Sequence, residues 1–415
     1  MIREQLDEYG EVELALTELQ SAALAQAGDS RIAVLQGTRP GRHRIKASSY
    51  VGTIVTDDLE LRIRPKVPIA NVLHLVGHAG VPDDWLTGAD VGYTPDVDAL
   101  SAFALLYGRT LTSTLARGPL RGYREHHDEL VAMRGRIDLA RQLRRPDRRT
   151  PIPCRYVDFT ADIEANRYVK HATRLLLRTP DVPVRARRLC KHGLIHLDEV
   201  VETAPPIDLP ERIVHTRLTR HYEPLLALAG LIRRSVTLSD QAGAVAASTF
   251  LLDMNALFER FMERALREQL RGRLQVAGQE RTHLDVERKV GMRPDLVFRD
   301  SDGEVVLVGD VKYKLIDDGF GRTADYYQLL AYCTRYGLDQ GVLLYATVDG
   351  ETPPRMVTVE HAGVQLHTVA VDLTGEPSEI RAEVASTATD IRLLAERRRF
   401  GRPAIPHPAP LELNP

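Results

Sequence analysis

The chain reads as a mixed α/β protein of the α+β type. A C-terminal core with a mixed central sheet flanked by helices is expected, behind a β-rich N-terminal module and a mostly helical middle region. Three observations predict this. Short Val- and Leu-rich runs recur between residues 296 and 371, stripes at helical spacing flank them near 253–270 and 322–336, and residues 31–67 form a separate series of short apolar runs. The 415-residue length allows two or three domains, and 43% hydrophobic with 27% charged residues is ordinary for a folded domain. A net charge of −2 gives no global nucleic-acid signature, so any affinity for DNA has to come from local basic surface.

No apolar run reaches membrane-spanning length, and the N-terminus MIREQLDEYGEVELAL is too acidic for a signal peptide, so a cytoplasmic protein is expected. Cys154, Cys190 and Cys333 are widely spaced, form no metal or disulfide pattern, and read as core residues.

Taken in order, Glu13 to Ala25 is an amphipathic helix candidate. RIAVLQ, HRIKASSYVGTIV and LELRIRPKV then read as strands, broken by turns at Gly37 to Gly41 and at Thr56-Asp57-Asp58. Arg39, Arg42 and Arg44 make the first turn basic. From Pro95 to Arg178 the pattern reads as helical, with Leu100, Phe103, Leu105, Leu106 and Leu111 on one buried surface. Within it, Arg134, Arg136, Arg141, Arg144, Arg145, Arg148 and Arg149 form a basic stretch that can meet a DNA backbone, line a solvated loop or bind an acidic protein face. TAPPIDLP (203–210) is a Pro-rich connection, and the small residues of Asp240 to Ala247 suggest a domain boundary. The expected divisions are 1–95, 96–245, 246–400 and a Pro-rich tail at 401–415.

Asp253 to Leu270 is the strongest helix, with Asp253 as N-cap and Leu257, Phe258, Phe261, Met262, Ala265 and Leu266 as its apolar stripe. Glu259 lies at the edge of that stripe. Leu296 to Arg299 and Glu304 to Tyr313 read as a hairpin around the turn Asp300-Ser301-Asp302-Gly303. Alternation then places Val306, Val308, Asp310, Lys312 and Lys314 on one face. Arg322 to Tyr336 is a second helix, with Gln328 and Tyr332 on one side and Asp325 a turn earlier. Gly341 to Thr347 suits a buried central strand, and Val357 to Val359 and Gln365 to Val371 follow as further strands.

An acid and a base following two valines on one strand face is unusual for a plain core strand. Ion pairs at the strand ends are one reading. The other is a metal site: Asp295 and Asp310 as carboxylate ligands, the Val311 carbonyl as a third, Glu259 as a carboxylate that the preceding helix could bring toward the metal, and Lys312 positioned to orient water or stabilise developing charge.

The order of an acidic helix, RPD, GDVKYK and QLLAY resembles the PD-(D/E)xK nuclease superfamily, including the Gln-x-x-x-Tyr helix of its RecB-like members. LLDMNALFERFMERAL, SSYVGTIVTDDLELRIRPKV, MRGRIDL and DFTADIEANRYVKHATRLLL resemble, more specifically, the McrC family, the nuclease subunit of McrBC-type modification-dependent restriction systems. That resemblance implies a Mg²⁺-dependent DNA endonuclease whose partner is a separate AAA+ GTPase, McrB, which recognises modified DNA and whose GTP hydrolysis it stimulates through its N-terminal part. It puts Asp295, Asp310 and Lys312 in the catalytic positions, with Glu259 and Gln328 as further candidates and Tyr332 in support. Arg39, Arg42 and Arg44 are candidates for the partner contact. The chain carries no Gly-rich phosphate loop ending in Lys and Ser or Thr, so it is not expected to hydrolyse nucleotide alone. The alternatives are a self-sufficient RecB-like repair nuclease and a non-catalytic regulator of an AAA+ ring.

Overall fold

A computed structural model describes residues 2–77, 98–144, 150–214, 216–239, 247–313, 323–348 and 355–401. The N-terminal elements are β1 (Ile2–Asp7), β2 (Glu11–Ala15), α1 (Glu18–Gly28), β3 (Ile32–Gln36), β4 (Arg42–Ala47), β5 (Tyr50–Thr56), β6 (Leu59–Arg64) and α2 (Ile69–Gly77). There follow α3 (Ala99–Leu115), β7 (Gly122–Leu130), β8 (Arg136–Ile137), β9 (Ile152–Thr160), α4 (Glu164–Arg178), α5 (Val184–Ile195), α6 (Glu223–Ser235), β10 (Val236–Ser239) and β11 (Ala247–Asp253). The remainder holds α7 (Met254–Gln269), β12 (Gln275–Gly278), β13 (Thr282–His283), β14 (Gly291–Met292), β15 (Leu296–Arg299) and β16 (Val305–Lys312). It ends with α8 (Thr323–Tyr336), β17 (Gln340–Thr347), β18 (Arg355–Thr358), β19 (Gln365–Asp372) and α9 (Pro377–Gly401). The architecture is mixed α/β, as the sequence predicts. Among the described residues no helix is long and apolar enough to cross a membrane.

Two compact units emerge: Met1–Pro65 with Ala79–Leu252, and Lys66–His78 with Asp253–Pro415. In the first, a five-stranded sheet runs β1-β6-β5-β11-β10 and a three-stranded sheet runs β2-β4-β3. Leu14, Leu24, Ile45, Ile54, Leu61 and Leu251 join them in one core. The backbones of β5 and β11 come so close that a Cβ at Gly52 (φ 142°) would lie 1.9 Å from the Phe250 carbonyl oxygen, so only glycine fits there. The expected helix at Glu13 to Ala25 starts later. Thr17 and Gln20 form a capping box that begins α1 at Glu18, while Glu11–Ala15 pairs with β4.

The helical reading of residues 95–178 holds only at its ends. Leu100, Phe103, Leu106 and Leu111 are buried on α3, but β7 and β9 pair antiparallel from Gly122↔Thr160 to Leu130↔Ile152, and β8 joins β9. Most of this ribbon is half-exposed on one face and open to solvent on the other. No apolar alternation therefore marks it as a strand pair. The basic stretch lies along it, with Arg134 paired to Asp158 and Arg141 to Glu129. Arg145, Arg148 and Arg149 lie outside the described residues, as do 240–246 of the expected boundary loop and 402–415 of the tail.

The second unit is built on a six-stranded mixed sheet, β12-β15-β16-β17-β19-β18. β15 and β16 form the expected hairpin, whose turn Gly303 closes with φ 84°. β16 and β17 run parallel at the centre, which is why β17 is buried at every position. Asp253 caps α7 through the N–H groups of Asn255 and Ala256, and the whole predicted stripe of α7 is buried. Helix α2 belongs to this unit rather than to the N-terminal module at 1–95. Its seven residues from Asn71 to Gly77 are all buried, a helix that needs cover on every side. Asn71 Nδ2 donates to the carbonyls of Leu373 (2.7 Å) and Gly375 (2.9 Å), and His74 lies edge-on to Phe261. Cys154, Cys190 and Cys333 are buried free thiols.

Candidate functional site

The register of the hairpin decides what meets what. Leu296 pairs with Gly309, so Asp295, entering β15, and Asp310, leaving it on β16, arrive side by side at the same end of the sheet. Pro294 fixes the entry to β15 and contributes no donor of its own. Asp295 Oδ2 accepts a hydrogen bond from the Val311 N–H at 2.9 Å. A strand residue presents its N–H and C=O on the same edge, so the Val311 carbonyl shares that side.

Lys312 Nζ lies 2.7 Å from Asp310 Oδ2 and 3.8 Å from Asp295 Oδ2, bracketing both acids as alternation predicts. Asp310 is 0% exposed, and its Oδ1 has no hydrogen-bond partner. Burial, then the charge of Asp295, pushes the Asp310 carboxyl up to about 8 against the pull of Lys312. Burial alone would lower the Lys312 ammonium, yet the carboxylates of Asp310, Asp295 and Asp325 outweigh it and hold Lys312 above its usual range. The cost of ionising Asp310 beside a second acid is one that a bound cation would relieve.

Helix α7 brings Glu259 toward this end. Burial, then Asp295, raises its carboxyl to about 7, and Gln279 Nε2 donates to Glu259 Oε2 at 3.2 Å. Among the described residues, no group of three or more His, Cys, Asp and Glu converges closely enough to hold a metal ion. Glu259, expected as a further carboxylate ligand, therefore stands outside the close donor set, with its Oε2 hydrogen-bonded by Gln279. Asp295, Asp310 and the Val311 carbonyl remain as close oxygen donors.

On the other side, Gln328 Nε2 donates to Tyr332 Oη at 2.6 Å, and Tyr332 Oη donates to the Arg293 carbonyl at 3.2 Å. The α8 pair thus braces the backbone just before Asp295, and Gln328 reaches the acids only through that chain. Asp325 is buried and accepts from Tyr345 Oη at 2.8 Å. Val308, Leu329, Tyr332, Leu343 and Tyr345 form the apolar floor beneath. Lys314 lies outside the described residues. Gln279 and Arg293 are the site-adjacent residues that sequence reasoning missed. The bond from Gln279 to Glu259 spans 20 residues and those from Arg293 to Gln279 span 14, so neither leaves a local pattern.

The sequence matches the family described as McrBC 5-methylcytosine restriction system component over residues 45–346, well over half the chain. No curated protein matches it. The fold is similar to a chain of the tetradecameric assembly of Thermococcus gammatolerans McrB AAA+ hexamers with bound McrC. The TM-score is 0.56 at 21% identity, covering 94% of this chain and all of that one. A chain of the cryo-EM structure of the Thermococcus gammatolerans McrBC complex aligns over 65% of this chain and 88% of its own, at 24% identity and a TM-score of 0.43. On the extent of the family match, this chain belongs to the McrBC 5-methylcytosine restriction system components.

Proposed function

We propose that this chain is the DNA-cleaving subunit of a McrBC-like restriction system, a PD-(D/E)xK-type phosphodiester hydrolase. It works in complex with an AAA+ GTPase resembling McrB, whose GTP hydrolysis it stimulates, and it acts on DNA that the partner selects. The observation that carries the reading is the Asp295, Asp310 and Lys312 group at one end of a buried hairpin, with a carboxylate oxygen left without a partner.

Asp295, Asp310 and the Val311 carbonyl would hold Mg²⁺, a cation that takes oxygen ligands and needs only one or two protein carboxylates, with Glu259 as a further carboxylate in the field of Asp295. Bound there, it would neutralise charge on the scissile phosphate and lower the pKa of the attacking water. The chain's own residues account for the rest. Lys312, held between the two acids, is placed to orient water or to meet charge developing on the phosphate. Gln328 and Tyr332 fix the backbone that presents Asp295.

On the partner side, Arg39, Arg42 and Arg44 are exposed at the β3–β4 turn and along β4, and Arg42 is shared with Glu13. They remain the proposed contact for the GTPase. The test is cleavage by the reconstituted complex with Mg²⁺ and GTP. Asp310→Ala and Lys312→Ala should each reduce cutting by roughly 10²–10³-fold, the scale of removing one charge-stabilising group. Undiminished cutting by either would refute the assignment.

A further inference from the structure

Gln279 is an exception to its own backbone. It adopts φ 50°, a left-handed conformation that is strained for a residue with a side chain. Strain of this kind persists where surrounding contacts over-determine it, and it concentrates at functional sites. Here the contacts are specific. Arg293 holds Gln279 at two points, Nη2 on the side-chain Oε1 at 2.5 Å and Nε on the main-chain carbonyl at 3.2 Å. The Gln279 N–H donates to the Asp295 carbonyl at 3.1 Å. With its Oε1 taken by Arg293, the amide can only aim its NH₂ outward, and Nε2 meets Glu259 Oε2 at 3.2 Å.

One strained residue therefore ties the carboxylate on α7 to the backbone of Asp295. Tyr332, donating to the carbonyl of Arg293, extends the same network to α8. The strand leading into Gln279 is pressed against α7. A Cβ at Gly278 would lie 2.1 Å from Glu263 Cδ, and Arg267 Nε donates to the Val276 carbonyl at 3.0 Å. That leaves Gln279 little freedom to sit elsewhere.

We infer that Gln279 is a positioning residue that holds Glu259 in the field of Asp295 and Lys312, where its carboxylate adds negative charge beside the cation site. This rests on the reading of Asp295 and Asp310 as the cation-binding acids. Without the amide, Glu259 has a like-charged neighbour in Asp295 and no donor from this loop to keep it there. Groups that orient a ligand without touching the cation typically contribute 10–100-fold to its affinity.

Mn²⁺ binding to the full chain, followed by the electron paramagnetic resonance of the free ion, tests the inference. Gln279→Met keeps the size but loses the donor, and Gln279→Gly also removes the left-handed penalty. Both should weaken Mn²⁺ binding by roughly tenfold or more. Gln279→Gly should melt no lower than the parent. That combination, a weaker site in a protein at least as stable, is what a merely structural role would not produce. Parent-like Mn²⁺ affinity in either variant would overturn the inference. If instead the parent's Mn²⁺ binding survives Asp310→Ala, the cation-site reading itself fails and carries the inference with it.

Discussion

Two antiparallel hairpins in this protein are built on opposite principles. The β15–β16 hairpin sits inside a six-stranded sheet, its residues nearly all buried, and it delivers two acids and a lysine to one end. The β7–β9 ribbon pairs over nine residues of each strand but is open along much of both faces. Tyr123 and Phe159 meet with tilted rings, centroids 5.2 Å apart, while 81% and 57% exposed, and Arg134 lies over the Tyr156 ring. In the buried hairpin, desolvation changes the chemistry of its charged groups. In the open ribbon, the charges pair with one another in water, Arg134 with Asp158 and Arg141 with Glu129. Burial, more than the presence of charge, separates a reactive strand end from a solvated one.

The largest expected effect is on activity. Asp310→Ala in the reconstituted complex should cost roughly 10²–10³-fold in cleavage. Arg134→Ala on the ribbon should leave the intrinsic cleavage step unchanged once the complex is saturated with DNA. Equal losses from both would erase the distinction.

Stability should show the contrast next. Phe298→Ala, in the middle of the buried hairpin at 0% exposure, should cost about 3–5 kcal/mol in denaturant unfolding. Phe159→Ala on the ribbon should cost about 1 kcal/mol or less. A ribbon variant as damaging as Phe298→Ala would mean that the ribbon is packed in solution.

A smaller effect is tied to pH. The folded-state carboxyl of Asp310 is raised to about 8 and that of Glu259 to about 7, both above their unfolded values. Between about pH 4 and 8 the folded chain therefore holds more protons than the unfolded chain, and its metal-free stability falls as pH rises through that window. In thermal melts with chelator, Asp310→Asn should gain relative to the parent between pH 5 and 8. Mg²⁺ should narrow the difference. A flat difference across that range would contradict the assigned environment of Asp310.

Much of the second unit was legible in the sequence because its signals are local. The α7 stripe, its Asp253 cap, the hairpin turn and the all-apolar β17 each follow from spacing within one element. The placement of Asp295 beside Asp310 followed too, since a hairpin fixes its own register. What escaped depends on partners distant in sequence. β1 is a charged segment, IREQLD, that becomes a strand by pairing parallel with β6 some 57 residues away. The α2 residues are read as part of an N-terminal module until their burial against the C-terminal unit is seen. Helix α9 is not among the elements expected from the sequence, although Ile380, Val384, Ala388, Ile391 and Ala395 recur at helical spacing and are buried. The ribbon was misread because half-exposed strands of Arg, His and Glu carry no apolar period of two. Gln279 had no signal: its role arises from contacts to Arg293 and Glu259, 14 and 20 residues away.

Cutting at the Asp295, Asp310 and Lys312 group and stimulation of the partner from elsewhere in the chain, as proposed, should separate in one variant. A single preparation of the Lys312→Ala complex, assayed in parallel for DNA cleavage and for GTP hydrolysis with Mg²⁺ present, tests it most directly. Cleavage should fall by roughly 10²-fold or more, with GTP hydrolysis stimulated as by the parent chain. Cleavage at the parent rate would contradict it.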